Sequence, residues 1–234
     1  MALFESVCIS TMFQHQMIQE FPSRMFYNGK LRCGFTNVQL QPKRPYKNFW
    51  PAGAIKPIAF CHLVGKEIVQ RVSTGTAGAN SRYNPDEIKQ VIRVIRRLIQ
   101  GGVEQSEIAV LTPYRLQMSK IKDMLQEKKL KEVGVNSITN SQGSEWPYVI
   151  LSTVRSLSQD DIEENPWNYW LRDKLGFVAD EHQVNVAITR AKSGLVIIGN
   201  QYLLKCCNVW SKLLDFYREH EAITNPSNFP PGVR

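Results

Sequence analysis

The chain has 234 residues, of which 43% are hydrophobic and 10% aromatic, enough apolar material for one sizeable buried core. The net charge of +8 is uneven, because residues 1–140 carry 20 Lys and Arg against 10 Asp and Glu, whereas residues 141–234 carry 9 against 11. A basic half indicates an anionic partner such as nucleic acid, or only a solubilising surface. No run of about 18 apolar residues occurs, which predicts that the chain does not span a membrane.

The cysteines show neither a metal-binding nor a disulfide pattern. They are Cys8, Cys33, Cys61, Cys206 and Cys207. Their number is odd and no C-x-x-C pair occurs, which predicts free thiols in a reducing compartment, the cytoplasm or the nucleus. The histidines show no metal-ligand spacing either, so no metal site is expected. Residues 1–10 have no basic region before an apolar stretch, which predicts no secretory signal.

The chain divides into three parts by composition. Residues 1–57 form an irregular N-terminal segment that ends in a proline-rich loop. Residues 58–220 are predicted to form one α/β domain, which opens with the buried strand Ile58–Val64 and has a flexible loop at Ser73–Ser81. Residues 221–234 contain three prolines and are predicted to be a loose tail.

Strands and helices alternate through the middle part. Asn84 and Pro85 begin a helix that Gly101 and Gly102 end, and Asp86 and Glu87 suit its positive pole. The later predicted elements are a strand at Ile108–Leu111, a helix at Arg115–Leu130, strands at Val135–Ile138 and Tyr148–Val154, a loop at Ser156–Gly176, a helix at Glu181–Lys192, a strand at Leu195–Ile198 and a helix at Tyr202–His220. This alternation predicts an α/β fold with a mostly parallel sheet and helices on both faces.

The strongest local motif is Gln183–Lys192, which runs directly into a buried strand. Arg190 lies late on the predicted helix, just before that strand. A planar, permanently charged guanidinium suits a phosphate across an interface. An arginine there also stabilises the end of a helix through the dipole. The residues alone leave these two interpretations equal.

Two further blocks lie upstream of that motif. The block Ser141–Glu145 contains Gly143, which allows a close approach of the backbone to a ligand, although the same residues suit a polar turn. The block Val110–Gln117 contains Thr112, Pro113 and Tyr114 at the end of a strand, where open α/β sheets bind ligands. Its hydroxyl and backbone N–H groups suit a phosphodiester, and an ordinary proline turn is the alternative.

Together with Glu20–Leu31, which contains Phe21-Pro22-Ser23, these blocks resemble in order the motifs of Upf1-like superfamily 1 helicases. The resemblance covers most of the chain. It implies the second RecA-like domain of such a helicase, with a P-loop-NTPase-type fold. The form of the segment Ile138–Arg155 is most similar to the zinc-finger-containing members of this group, which act as nuclear-receptor coactivators.

The resemblance also implies roles for individual residues. Arg190 corresponds to the arginine finger that acts on the γ-phosphate of ATP. The residues implied to line the nucleotide are Gln142, Gly143 and Glu145. The residues implied to contact the nucleic-acid backbone are Thr112, Pro113, Tyr114, Asn136, Thr139 and Asn140. The implied partners are RNA, or alternatively DNA, together with nuclear receptors or transcription coactivators.

The ATP cradle is missing from this chain. The motif G-x-x-x-x-G-K-[ST] does not occur, because the two Gly-Lys pairs, at 29–30 and 65–66, lie in other contexts. ATP and Mg²⁺ are therefore expected to bind mainly to a preceding RecA-like domain, and this chain alone is expected not to hydrolyse ATP.

One departure from the family pattern favours a different function. Thr11–His15 stands where the family has Q-Y-R-M-H, and only His15 matches. Phe13 replaces an arginine implied to contact phosphate. The alternative is therefore a non-catalytic module that binds nucleic acid or a transcription partner on a helicase-derived scaffold.

Two other features have simpler explanations that we favour. Asp180 and Glu181 imitate a magnesium-binding pair but suit the start of a helix better. Four aromatic residues could stack on bases, although packing of a long loop is the more common role. They are Trp146, Trp167, Tyr169 and Trp170.

Overall fold

The computed structural model describes residues 11–12, 14–33, 48–71 and 80–232. The strands are β1 (Thr11–Met12), β2 (Arg32–Cys33), β3 (Ile58–His62), β4 (Ile68–Arg71), β5 (Asn80–Tyr83), β6 (Ile108–Thr112), β7 (Gly134–Ser137), β8 (Trp146–Ser152), β9 (Ala191–Gly199) and β10 (Ile223–Thr224). The helices are α1 (Gln16–Phe26), α2 (Pro85–Gln100), α3 (Arg115–Glu127), α4 (Asn168–Leu175), α5 (Glu181–Ile188), α6 (Gln201–Leu204) and α7 (Asn208–Glu219).

The main sheet has six strands in the order β10-β3-β9-β8-β6-β7, and every pairing in it is parallel. Parallel neighbours need a crossover connection, which the intervening helices supply. The predicted α/β fold with a mostly parallel sheet is confirmed. Outside this sheet, β4 and β5 form an antiparallel hairpin.

The sheet separates two hydrophobic cores. Ile58 and Phe60 of β3 point into a core shared with α5 and α7, whereas Ala59 and Cys61 point into a core shared with α2 and α3. This alternation follows from the two-residue period of a strand. Because the central strands are buried on both faces, they read in the sequence as continuous apolar runs, and the predicted helices on both faces are confirmed.

Helix α2 begins as the sequence predicts. The Asn84 side chain accepts hydrogen bonds from the backbone N–H groups of Asp86 and Glu87, at 3.1 and 3.2 Å. Pro85 occupies the first turn, and the helix ends at Gly101, whose N–H bonds the carbonyl of Arg97.

Three predicted elements differ from the structure. Helix α5 stops at Ile188 rather than Lys192, because the Thr189 hydroxyl bonds the carbonyls of Asn185 and Val186 and the chain then turns into β9. The predicted helix Tyr202–His220 divides into α6 and α7. At residues 206 and 207 the backbone N–H groups bond the carbonyls three residues earlier rather than four, and the α-helix is interrupted there. The predicted loop Ser156–Gly176 contains α4.

The two ends of the chain are more ordered than predicted. Within the predicted irregular segment, α1 packs into a core, and its Phe21 ring lies 5.8 Å from that of Phe216. Within the predicted loose tail, β10 pairs with β3, and the buried Phe229 ring lies 5.3 Å from that of Phe49. Proline content predicts an irregular path, but it does not prevent an aromatic anchor from packing. The loose tail is therefore wrong for the described residues up to 232.

Other sequence predictions fall on parts that are not described. Residues 73–79 of the predicted flexible loop lie outside the described residues, and so do Phe13 and residues 41–47 of the proline-rich loop. Within the described part of the chain, no helix is both long and apolar enough to cross a membrane.

Candidate functional site

Arg190 lies in the turn between α5 and β9, one residue before the strand, and not within the helix as predicted. Its Nε donates to the carbonyl of Val186 at 2.9 Å, its Nη1 to the carbonyl of Ser144 at 3.2 Å, and its Nη2 to the hydroxyl of Thr189 at 2.9 Å. The first of these bonds caps the carboxyl-terminal end of α5. Arg190 therefore does stabilise the end of the helix, which was one of the two interpretations of the sequence. Burial lowers the pKa of the half-buried Arg190 guanidinium, which nevertheless stays charged at neutral pH.

The turn Gln142–Glu145 lies against Arg190. Trp146 donates its backbone N–H to the carbonyl of Arg190 at 3.0 Å, as β8 and β9 begin side by side. Gly143 has a φ of +82° and is exposed, with no atom within 4 Å of the position that a Cβ would take. Glu145 forms an ion pair with Lys192 at 3.1 Å. The structure therefore brings together Arg190 and the predicted nucleotide-lining residues at the amino-terminal edge of the sheet.

A residue that the sequence analysis missed supports this turn. Gln14 is fully buried, and its Nε2 donates to the carbonyls of Thr189 and Ala191, on either side of Arg190, at 2.5 and 2.9 Å. The neighbouring His15 donates its N–H to the carbonyl of Lys192 at 2.7 Å. Burial lowers the pKa of His15 to about 4, so its ring is neutral at physiological pH. Gln14 had appeared only as a departure from the family motif, and no local pattern indicates its role.

The predicted nucleic-acid contacts around β6 lie at the opposite, carboxyl-terminal edge. Thr112 ends β6 and pairs with Ser137 of β7. Its side chain is fully buried, and its hydroxyl has no hydrogen-bond partner among the described residues. Tyr114 is also buried, and its hydroxyl accepts a hydrogen bond from Arg155 at 3.3 Å. Only Pro113 of these three is half-exposed, so a ligand would meet this loop at Pro113 and the backbone rather than at the Tyr114 ring.

The remaining predicted contacts lie on β7 and the turn after it. Asn136 is half-buried, whereas Thr139 and Asn140 are exposed. The Thr139 hydroxyl lies 3.5 Å from the Gln183 side-chain oxygen on α5. The chain then passes beside α5 from the end of β7 to the start of β8. The structure thus places the two predicted groups of residues at opposite edges of the sheet, joined by the segment 138–145.

A charged cluster at the carboxyl-terminal edge was not predicted. Arg155, three residues after the end of β8, donates to Glu67 through Nε at 3.0 Å and to the carbonyl of Asp173 through Nη2 at 2.7 Å. Glu67 also pairs with Arg82. The cluster borders an open cavity of about 370 Å³ whose wall includes Lys174. Arg155 ends the segment Ile138–Arg155, which resembles the helicase family. Its position after a buried strand is the only feature of the sequence that indicates a role for it.

Glu87 lies beneath the same edge. The sequence predicts this residue at the helix start, where its charge would match the dipole, but its side chain is fully buried. Its carboxylate accepts the N–H of Val154 at 2.9 and 3.0 Å and the hydroxyl of Ser152 at 2.5 Å. Burial is the main cause that raises the pKa of Glu87 to about 8. Val154 has a φ of +72°, and its carbonyl accepts from the Asn84 side chain at 3.2 Å. This network fixes the chain where it leaves β8.

The two simpler explanations have different outcomes. Asp180 caps α5, since its Oδ1 accepts the N–H groups of His182 and Gln183, as expected. Within the described ranges, no group of three His, Cys, Asp or Glu residues could hold a metal. Packing is confirmed for the buried Trp170, whereas Trp167 and Tyr169 are 57% and 76% exposed.

The sequence of the chain is similar to those of several known proteins. The family model described as an AAA domain (AAA_12) matches residues 11–202. The protein named 3'-5' exoribonuclease HELZ2 of Mus musculus is 41% identical over 94% of this chain. A regulator of nonsense transcripts 1 homolog of Arabidopsis thaliana is 33% identical over 89% of it, and the ATP-dependent helicase NAM7 of Saccharomyces cerevisiae is 35% identical over 86%.

These relatives are much longer than the region that they share with this chain. The chain spans 7% of the length of the mouse protein, 16% of the Arabidopsis protein and 19% of the yeast protein. The match to the family model, by contrast, covers most of the chain and includes the whole Arg190 motif. The chain therefore belongs to the AAA_12 family, the C-terminal helicase domain of Upf1-like superfamily 1 helicases, and its all-parallel sheet with flanking helices is consistent with the RecA-like fold.

Proposed function

We propose that this chain is the second motor domain of an ATP-dependent RNA or DNA helicase, and that Arg190 is its arginine finger. The observation that carries the proposal is the position of Arg190 beside the turn Gln142–Glu145 at one edge of the sheet. Arg190 uses three of its five N–H donors within the described residues, which leaves two for a phosphate. The carbonyls that it bonds fix the guanidinium without neutralising its charge.

The residues at this edge fit one side of a nucleotide. Gln142 and Gly143 are exposed, and the open space at Gly143 admits a ligand close to the backbone. ATP bound with Mg²⁺ supplies the phosphoryl group that is transferred. Arg190 would place positive charge beside that group, while a preceding RecA-like domain would hold most of the nucleotide, because this chain has no G-x-x-x-x-G-K-[ST].

The opposite edge would hold part of the nucleic acid. Thr139 and Asn140 are exposed there, and Pro113 is half-exposed. Polar side chains and backbone N–H groups bind phosphates and sugars without reading bases. RNA is the preferred strand in this proposal, since the relatives' names refer to transcripts and to an exoribonuclease.

Measuring ATP hydrolysis tests this proposal. We expect the isolated chain to show no turnover, and we expect the chain joined to the preceding domain of its parent protein to hydrolyse ATP faster when single-stranded RNA is added. Hydrolysis by the isolated chain would contradict the division of labour between two domains. Hydrolysis by the joined protein that does not respond to RNA or DNA would contradict the nucleic-acid part.

A second candidate is a non-catalytic binding module for nucleic acid, nuclear receptors or transcription coactivators, which would act in the nucleus or the cytoplasm. The bond from Arg190 Nε to the carbonyl of Val186 favours it, because that bond gives this arginine a structural role without any ATP. Such a module would bind RNA with a steep salt dependence, since phosphate contacts release counterions. The joined protein would then bind the strand but hydrolyse no ATP.

A further inference from the structure

Phe177 is a large aromatic residue that the fold leaves in solvent. Its side chain is 67% exposed, although Leu175 and Val178 on either side of it are buried. It lies in the four-residue 3₁₀ turn Gly176–Ala179, between α4 and α5. A single exposed apolar side chain is common on protein surfaces, so the surroundings of this ring decide whether it has a role.

The turn that carries Phe177 is held on both sides. Gly176 has a φ of +56°, and a Cβ at this position would lie 3.1 Å from Arg155 Nη1 and 3.2 Å from the Tyr114 hydroxyl. The positive φ favours glycine at this position, and a Cβ there would force the ends of the Arg155 and Tyr114 side chains to shift. On the other side, Val178 is buried, and its carbonyl accepts a hydrogen bond from Trp210 Nε1 at 2.7 Å. The position of the Phe177 backbone is thus fixed while its ring remains exposed.

The surroundings of the ring belong to the proposed nucleic-acid edge. The Tyr114 ring lies 6.4 Å from the Phe177 ring, edge to face, and supports it from beneath. Phe177 also lines a small apolar hollow with Pro113, Ile138 and Gln183. Gln183 in turn lies 3.5 Å from the Thr139 hydroxyl. The exposed ring is therefore next to the loops that we propose to hold the phosphodiester backbone.

We propose that Phe177 is a base-stacking residue for single-stranded nucleic acid, with Tyr114 as the support of its ring. This inference rests on the proposed nucleic-acid function and identifies how the strand is held there. A phenylalanine ring offers no hydrogen bond, so it accepts the face of any base. Polar contacts to the sugar–phosphate backbone at Thr139 and Asn140, and stacking at Phe177, would both be independent of base sequence. Thr139 and Asn140, which follow Ile138 of the same hollow, expose polar side chains, and this favours a strand over an apolar protein partner.

The test compares two strands that differ only in their bases. One is a labelled oligouridylate of about 12 nucleotides, within the range of site sizes of such proteins. The other has the same sugar–phosphate backbone without bases. Fluorescence anisotropy measures the affinity of the full chain and of its variants for each strand. We expect Phe177→Ala to weaken binding of the oligouridylate about 5- to 100-fold and to leave the base-free strand unchanged.

Two variants serve as controls. Phe177→Trp keeps a stacking face and should restore the preference for the strand with bases. Tyr169→Ala removes a comparably exposed aromatic side chain from α4 and should change neither affinity. Because Phe177 is mostly exposed, the melting temperature of Phe177→Ala should stay close to that of the parent chain.

Each other outcome overturns a defined part of the account. An unchanged affinity of Phe177→Ala for the oligouridylate, or an equal loss for both strands, overturns the stacking role and leaves the proposed function intact. If the parent chain binds neither strand, the nucleic-acid part of the proposed function falls together with this inference. A preference for bases that Tyr169→Ala removes, and Phe177→Ala does not, overturns the assignment to Phe177.

Discussion

The two edges of the sheet hold their arginines in opposite ways. At the amino-terminal edge, Arg190 is half-buried and bonds two backbone carbonyls and a hydroxyl. At the carboxyl-terminal edge, Arg155 is 5% exposed and its donors go to Glu67, Tyr114 and the carbonyl of Asp173. The charge of Arg155 is balanced within the domain, whereas Arg190 has no ion pair among the described residues.

This contrast separates stability from function. Arg155 makes three buried or partly buried hydrogen bonds at once, one of them to a carboxylate, so changes at Arg155 should destabilise the fold. An arginine held by neutral groups can be replaced at a small cost in stability, and its charge remains available to a ligand. We therefore expect changes at the carboxyl-terminal edge to act mainly on folding, and changes at the amino-terminal edge to act mainly on turnover.

The largest effect on stability should come from Arg155→Ala. This change leaves Glu67 with Arg82 alone in a mostly buried place and removes the bond to Tyr114. We expect a loss of about 3–5 kcal/mol in the free energy of unfolding, measured by urea denaturation, because one charge-assisted bond and two further hydrogen bonds are lost together. The matched control is Arg24→Ala on α1, where an arginine that is 68% exposed pairs with Glu20. If Arg155→Ala lowers the free energy of unfolding as little as Arg24→Ala does, the proposed difference between the two edges of the sheet is wrong.

Glu87 should give this edge a pH-dependent stability. Burial raises its folded-state pKa to about 8, from an ordinary value of 4.5, so the folded chain binds this proton more tightly than the unfolded chain. The contribution of Glu87 to the free energy of unfolding is then fully present below about pH 4.5. It is lost as the pH rises through about 8, by at most about 1.4 kcal/mol per pH unit. Denaturation between about pH 6 and about pH 8 should show the loss in the parent chain and a flatter profile in Glu87→Gln.

The window and the control isolate this group. Burial lowers the folded-state pKa of His15 to about 4. Its contribution to the free energy of unfolding is therefore lost only as the pH falls below about 6.5, outside most of the measured range. Glu132→Gln, at an exposed position, should keep the profile of the parent chain. Equal slopes for the parent chain and for Glu87→Gln would show that the buried carboxyl does not control this dependence.

The smallest effect should come from the ion pair between Glu145 and Lys192, at the amino-terminal edge. Both side chains are about one-third exposed, at 32% and 39%, and water screens pairs of this kind. A double-mutant cycle with Glu145→Gln and Lys192→Met should give a coupling free energy below about 1 kcal/mol. A coupling of several kcal/mol would mean that this edge, too, is held mainly by its charges.

The sequence predicts the layers of this fold well and the side-chain networks poorly. Continuous apolar runs such as Ile108–Leu111 indicate strands buried on both faces, and Asn84 with Pro85 indicates the start of a helix, because these signals are local. The position of Arg190 beside the turn Gln142–Glu145 follows only from the pairing of β8 with β9. The order of the family motifs predicted that Arg190 and this turn are neighbours, whereas the local periodicity of the sequence did not.

The missed features depend on contacts between distant parts of the chain. Gln14 meets the backbone of residues 189–191, and Glu87 meets Val154, far along the sequence in each case. A polar residue at the start of a helix looks the same in sequence whether it faces water or a buried backbone N–H. Phe229 was hidden similarly, since the prolines around it suggested only an irregular path.

The most direct test of the central claim measures ATP hydrolysis by the joined protein, with and without Arg190→Ala. The variant loses three hydrogen bonds to neutral groups around a half-buried side chain, which should cost about 1–3 kcal/mol of stability, less than Arg155→Ala costs. Turnover should nevertheless fall about 10³- to 10⁵-fold if this arginine stabilises the transferring phosphate. Arg218→Ala, at an exposed arginine on α7, should keep full activity. Retention of full activity by a stably folded Arg190→Ala protein would contradict the arginine-finger assignment.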